Sequence, residues 1–178
     1  MPNPDKRKYL IFLDIDGVFA SSRVHFSWDN EYNKWSKFDP VAVDFCNKIY
    51  DRYPVEFVLM STWKEWLDPT NEMITHWVMT TFKNAGFRGK FADSWKTNPT
   101  NMASISARDR AYEVKDYLEI YATDIKDFIL FDDNRFRFKE ILGKNRLIQT
   151  NSDNGLTYKN MKDAHSLMGQ WEPRGDTI

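Results

Sequence analysis

The chain has 178 residues, and its 25 Lys and Arg residues nearly balance its 26 Asp and Glu residues, which gives a formal net charge of -1. This length fits one domain with a sizeable core. A hydrophobic share of 42% excludes an intrinsically disordered chain. The near-neutral charge provides no bulk attraction to nucleic acids or membranes, so a local group of residues must determine the binding partner.

The cysteine content and the apolar runs indicate the compartment. Cys46 is the single cysteine, which excludes an internal disulfide and a thiolate metal site. The apolar run at 9–13 is too short for a signal peptide or a membrane span. We therefore expect a cytoplasmic protein without a membrane partner.

Strand and helix signals alternate along the chain, which is typical of a parallel sheet with crossover helices. The predicted strands lie at 8–14, 55–60, within 87–95, at 126–132 and at 146–149. The predicted helices lie at 40–53, 71–85, 106–121, 134–142 and 157–168. We predict an α/β fold, a three-layer, doubly wound and mostly parallel sheet. Residues 1–170 form its single domain, and residues 171–178 form a flexible tail.

Polar side chains follow three of the predicted strands directly. Asp14 and Asp16 follow the first, Ser61 the second, and Asp132 and Asp133 the strand at 126–132. Because the carboxyl ends of parallel strands meet at one edge of a sheet, we expect these side chains to converge there.

The chemistry of this group points to phosphoryl transfer. Crowded carboxylates favour a hard divalent cation such as Mg²⁺, which in turn attracts a phosphate. We predict that Asp14 is the nucleophile of an aspartyl-phosphate mechanism and that Asp16 is the general acid and base. Ser61 would hold a phosphoryl oxygen, and Arg110 or Arg108 would stabilise the transferring group.

Simpler structural roles compete with two of these assignments. Asp133 also suits the cap of the helix predicted from 134, and a carboxylate can cap a helix and bind a metal ion at once. Arg108 and Arg110 also fit a charged, solvated helix start. The choice between the two arginines stays open at this point.

The motifs resemble those of a known superfamily. Four segments are similar to motifs one to four of the haloacid dehalogenase-like (HAD) phosphatases: DIDGV from Asp14, the strand-end Ser61, the region at 108–110 and FDDN at 131–134. The resemblance spans about 8–155. STWK, RAYEV and NGLT, at 61–64, 110–114 and 154–157, resemble the small HAD domains of nucleic-acid repair proteins, polynucleotide kinase phosphatase-like domains among them.

This resemblance implies roles for individual residues. Asp14 and Asp133 would bind Mg²⁺ through their side chains and Asp16 through its backbone carbonyl, with Asp132 in the same site. In the third motif, Lys115 competes with Arg108 and Arg110. Substrate contacts are expected from residues beside the motifs: Gly17, Thr62, Lys64, Arg108 and Arg23.

Motif spacing bears on the substrate. Asp14 lies 47 positions before Ser61, and Ser61 lies 49 before Arg110, which leaves no room for a large cap domain. An open site favours the ends of chains as substrates. The cations and aromatic residues at 23–37 and at 135–139 suit the binding of a nucleic-acid strand. A small flap that packs on itself explains the first segment as well, and core packing explains the second.

We therefore predict a Mg²⁺-dependent phosphomonoesterase that acts on a nucleotide or on the terminal phosphate of a nucleic acid. The alternatives are a small-metabolite HAD phosphatase and a non-catalytic binding module with the same fold. The sequence does not decide between 3′ and 5′ phosphates.

Overall fold

The computed structural model describes residues 8–27, 38–65, 76–98 and 109–175. Its strands are β1 (Tyr9–Leu13), β2 (Val55–Leu59), β3 (Phe91–Lys96), β4 (Asp127–Asp132) and β5 (Leu147–Gln149). Its α-helices are α1 (Ser22–Ser27), α2 (Pro40–Arg52), α3 (Trp77–Asn84), α4 (Arg110–Tyr121), α5 (Phe138–Leu142) and α6 (Tyr158–Leu167), and a 3₁₀ turn spans Thr62–Glu65. The five strands form one parallel sheet in the order β3-β2-β1-β4-β5.

Helices cover both faces of the sheet. Along β1, Tyr9, Ile11 and Leu13 pack into a core on one face, while Leu10 and Phe12 pack into a second core on the other. Helices α2, α3 and α6 contribute to the first core, and α4 and α5 contribute to the second. Since every β1 residue is buried, its apolar run serves both layers. The predicted three-layer, doubly wound α/β fold is confirmed.

Side-chain caps fix where α2, α4 and α6 begin. Asp39 precedes α2 and accepts a hydrogen bond from the Val41 backbone N–H at 2.9 Å. Asp109 does the same for α4, accepting from the Ala111 N–H at 3.1 Å. Thr157 opens α6 with a capping box. Each cap satisfies a backbone donor that lacks a partner within its helix.

Some elements differ from the prediction. The helix predicted at 134–142 is confined to α5, because Phe136 has a φ of 35°, which lies outside the right-handed helical region. Helix α1 was not predicted. Three internal segments lie outside the described residues: 28–37, 66–75 and 99–108. The prediction of a small or absent cap depends on these segments, and the last of them includes Arg108.

Residues 171–175, the described part of the predicted tail, pack against the domain. Trp171 is buried and stacks on Tyr9 with ring centroids 4.4 Å apart, and its indole N–H donates to Asp127 Oδ2 at 3.0 Å. Farther on, the Arg174 backbone N–H donates to the carbonyl of Arg52 at 2.8 Å. An aromatic side chain thus attaches this segment to the start of β1.

No helix among the described residues is both long and apolar enough to span a bilayer.

Candidate active site

Three neighbouring strands end together and bring the predicted polar residues to one edge of the sheet. Leu13, the last residue of β1, is in register with Leu59 of β2 and Phe131 of β4. The Asp14 backbone N–H donates to the Phe131 carbonyl, and the Met60 N–H donates to the Leu13 carbonyl, both at 2.9 Å. The sheet's own hydrogen bonds therefore continue into the first residues of the site.

The centre of this edge is a cluster of carboxylates. One oxygen each from Asp14, Asp132 and Asp133 lies within 4.8 Å of the others. Burial, and next the charge of Asp14, raise the pKa of Asp132 to about 8. The same two causes raise the pKa of Asp133 above its usual value. The site thus holds acids that are costly to ionise together in the absence of a compensating cation.

Arg110, the first residue of α4, lies against this cluster. Its Nη1 is 2.6 Å from Asp14 Oδ2 and 2.7 Å from Asp132 Oδ2. Burial lowers the pKa of Arg110, but the two carboxylates outweigh this effect and raise it overall. Lys115, by contrast, pairs with Glu119 on the surface, at 3.8 Å. Of the competing basic residues, the structure therefore brings Arg110 to the acids, while Arg108 lies outside the described residues.

The carboxylate cluster fits a hard divalent cation. The buried Asp14 Oδ1 has no hydrogen-bond partner among the described residues. Gly17, with a φ of 70°, lies so near that an added Cβ would be 2.5 Å from Asp133 Cβ and 2.6 Å from its Oδ2. A glycine is therefore required for Asp133 to approach the first loop. An unpartnered buried oxygen within a set of carboxylates is the donor chemistry that Mg²⁺ selects.

The Asp16 carboxylate is not one of these three clustered groups, and it faces a tryptophan. The Trp63 indole Nε1 donates to Asp16 Oδ2 at 3.0 Å. Trp63 is fully buried in the 3₁₀ turn after β2, whereas Asp16 is exposed. A buried side chain from a second strand end thus holds a carboxylate that is exposed to solvent. This role of Trp63 was not predicted from the sequence, although a tryptophan two residues after a strand-end serine was a usable signal.

Ser61 also lies at this edge and is fully buried. Its Oγ accepts a long hydrogen bond of 3.4 Å from the Trp63 backbone N–H, while the neighbouring Thr62 is exposed. The Ser61 hydroxyl and the turn that follows it are thus held at the end of β2, beside the Asp14 strand end.

Two residues predicted to bind substrate form ion pairs with carboxylates of the scaffold. Lys64 Nζ lies 2.6 Å from Glu113 Oε2 and 2.9 Å from Thr97 Oγ1, and all three side chains are buried. Arg23 pairs with Asp39, the cap of α2. Lys64 is thus bound by a buried carboxylate and Arg23 by a capping carboxylate, and their substrate contacts stay predictions. The Lys64 pair instead links the turn after Ser61 to α4.

The fold and this edge define a HAD domain, and comparison identifies the family. A model of the HAD domain in Swiss Army Knife RNA repair proteins matches residues 10–161. The chain therefore belongs to this family, which confirms the resemblance drawn from its motifs. No curated protein gives a significant match.

The tight contact of Gly17 with Asp133 leads to a stability prediction. Gly17→Ala adds a Cβ that meets Asp133, on top of the strain of a positive φ. Gly143 is the matched control, since its φ is 66° and an added Cβ there meets nothing within 4 Å. We expect Gly143→Ala to lower the free energy of unfolding by about 1 kcal/mol, and Gly17→Ala by a further ~1–3 kcal/mol. Urea unfolding measures both, and equal losses would contradict the close packing.

Proposed function

We propose that this domain is a Mg²⁺-dependent phosphomonoesterase that removes the terminal phosphate of a nucleic acid or a nucleotide through a phosphoaspartate at Asp14. The observation that carries the proposal is the environment of that carboxylate. One of its oxygens is paired with Arg110, and the other is buried without a hydrogen-bond partner among the described residues. Membership of a family found in RNA repair proteins supports a nucleic-acid substrate.

The metal would be held by Asp14, Asp133 and the backbone carbonyl of Asp16. When bound, Mg²⁺ supplies the positive charge that neutralises both the crowded carboxylates and the phosphate oxygens. Asp132 was predicted as a further ligand, but its two oxygens already accept from Arg110 and from the Asn134 backbone N–H, at 2.7 and 2.8 Å. We assign Asp132 mainly to positioning Arg110.

In the first step, an Asp14 carboxylate oxygen attacks phosphorus as the ester P–O bond breaks. Asp16 donates its proton to the leaving oxygen, which departs as an alcohol. Arg110 and Ser61 stabilise the charge on the equatorial oxygens. In the second step, water attacks phosphorus and gives a proton to Asp16, which releases inorganic phosphate and regenerates the Asp14 carboxylate.

Substitution of the nucleophile tests this function. The wild-type protein should release phosphate from 3′- or 5′-phosphorylated oligonucleotides or from nucleotides in Mg²⁺, and EDTA should stop the reaction. Asp14→Asn should lower turnover by about a thousandfold or more, since an amide is a poor nucleophile. Asp163→Asn, on the exposed face of α6, is the matched control and should leave turnover unchanged. Absence of Mg²⁺-dependent release, or release that survives Asp14→Asn, would refute the proposal.

The contact between Trp63 and Asp16 predicts a dependence on the leaving group. Trp63→Phe keeps an aromatic ring but removes the indole N–H, so Asp16 is held less well for proton donation. Turnover should fall by about tenfold for an alkyl phosphate end. It should change less than about twofold for p-nitrophenyl phosphate, whose leaving group needs no proton.

Trp171→Phe is the control for this substitution. It also removes an indole hydrogen bond of 3.0 Å to an aspartate Oδ2, but at the start of β1, away from the site. Turnover of both substrates by Trp171→Phe should match the wild type. Equal losses on both substrates in Trp63→Phe would show that Trp63 supports the fold only.

A further inference from the structure

One exposed aromatic side chain lies beside the carboxylate cluster and has no role in the mechanism above. Phe136 belongs to the turn between β4 and α5, shortly after Asp132 and Asp133. The Arg110 Cζ lies 5.2 Å from the centroid of the Phe136 ring, a cation–π contact. Because the same guanidinium binds Asp14, the ring is one side chain removed from the nucleophile.

The backbone at this position is strained. Phe136 has a φ of 35°, and it is the one non-glycine residue of the described chain with a positive φ. A positive φ costs free energy for a residue with a Cβ, and glycine or asparagine would adopt it more easily. Strain of this kind persists where the surrounding structure enforces it, frequently at functional sites.

Burial of the ring does not offset this cost. Phe136 is 36% exposed, whereas Phe138, two residues later, is 1% exposed and belongs to the core. Phe138 meets the Phe136 ring edge to face, with centroids 5.7 Å apart. A large apolar ring is therefore held partly in solvent, next to Arg110.

The turn itself is held in place by contacts at both ends. Arg135 Nε donates to Gln149 Oε1 at 2.7 Å, and Gln149 Nε2 donates to the Asp133 carbonyl at 3.2 Å. Arg137 pairs with Asp109 at 2.7 Å. The Arg135 guanidinium is hydrogen-bonded to a side-chain amide, so the turn offers a flat ring together with a cation. That pairing suits a nucleobase and the backbone phosphate next to it.

We propose that Phe136 is the stacking platform for the base of the nucleotide that carries the scissile phosphate. The inference rests on the proposed function and deepens it. The phosphate enters the carboxylate cluster while the unpaired base of a single-stranded end lies on the exposed surface of the ring. The substrate class is thereby narrowed to phosphates attached to a nucleoside, as opposed to sugar phosphates without a base.

Two matched RNA substrates test this. Both are short single strands with a terminal phosphate, but in one the phosphate-bearing nucleotide lacks its base. For Phe136→Ala, we expect kcat/KM to fall by about tenfold on the normal strand, because one stacked base is lost. On the abasic strand it should fall by less than about twofold. Phe136→Tyr keeps an aromatic face and should retain the preference for the normal strand.

Three further variants separate stacking from structural effects. Tyr121→Ala removes an aromatic residue of similar exposure, 41%, at the end of α4 opposite Arg110. This variant should leave kcat/KM unchanged on both strands. Phe136→Leu keeps apolar bulk without a π face, so it should lose the same preference even if Phe136→Ala folds poorly. Phe136→Gly removes the ring together with the backbone strain. It should lose the preference for the base while unfolding at no lower temperature than Phe136→Ala.

The outcomes distinguish this inference from the proposed function. If the wild type releases no phosphate from either strand, the proposed function fails. If it is active but Phe136→Ala loses the same factor on both strands, the ring serves only to hold Arg110, and the inference is overturned. If Phe136→Ala leaves kcat/KM on the normal strand unchanged, the inference is overturned as well.

Discussion

The contact of one guanidinium with two buried carboxylates is the interaction on which this site depends. Asp14 and Asp132 come from adjacent strands of the sheet and are both fully buried, so their charges repel strongly. Arg110 lies within 2.7 Å of both and is the cation that the described chain supplies to them. Asp133 adds a third carboxylate, which leaves an excess of negative charge that a divalent cation would balance.

The fold places each part of this arrangement by a separate local device. Parallel register brings the ends of β1 and β4 together, and Gly17 lets Asp133 approach the first loop. The Asp109 cap begins α4 at Arg110. Three residues later in that helix, Glu113 binds Lys64, so the turn after Ser61 and the start of α4 are tied to each other. Displacement of one loop would therefore disturb the other.

Features with a local cause were predicted from the sequence. The buried strands, the α2 cap at Asp39 and the meeting of three strand ends follow from apolar runs and short-range signals. Features that join residues distant in the sequence were not predicted. The Trp63–Asp16 hydrogen bond links positions 47 residues apart, and the Lys64–Glu113 pair links positions 49 apart. Trp171 stood in a polar segment whose partners, Tyr9 and Asp127, the sequence does not identify.

The central claim is that the carboxylate held by Arg110 becomes covalently phosphorylated. Rapid acid quenching of the wild-type protein with a ³²P-labelled terminal phosphate measures this directly, because an acyl phosphate survives acid and is cleaved by hydroxylamine. We expect a hydroxylamine-sensitive label on the peptide that contains Asp14. Phosphate release without a labelled protein, or a label on a peptide that lacks Asp14, would contradict it.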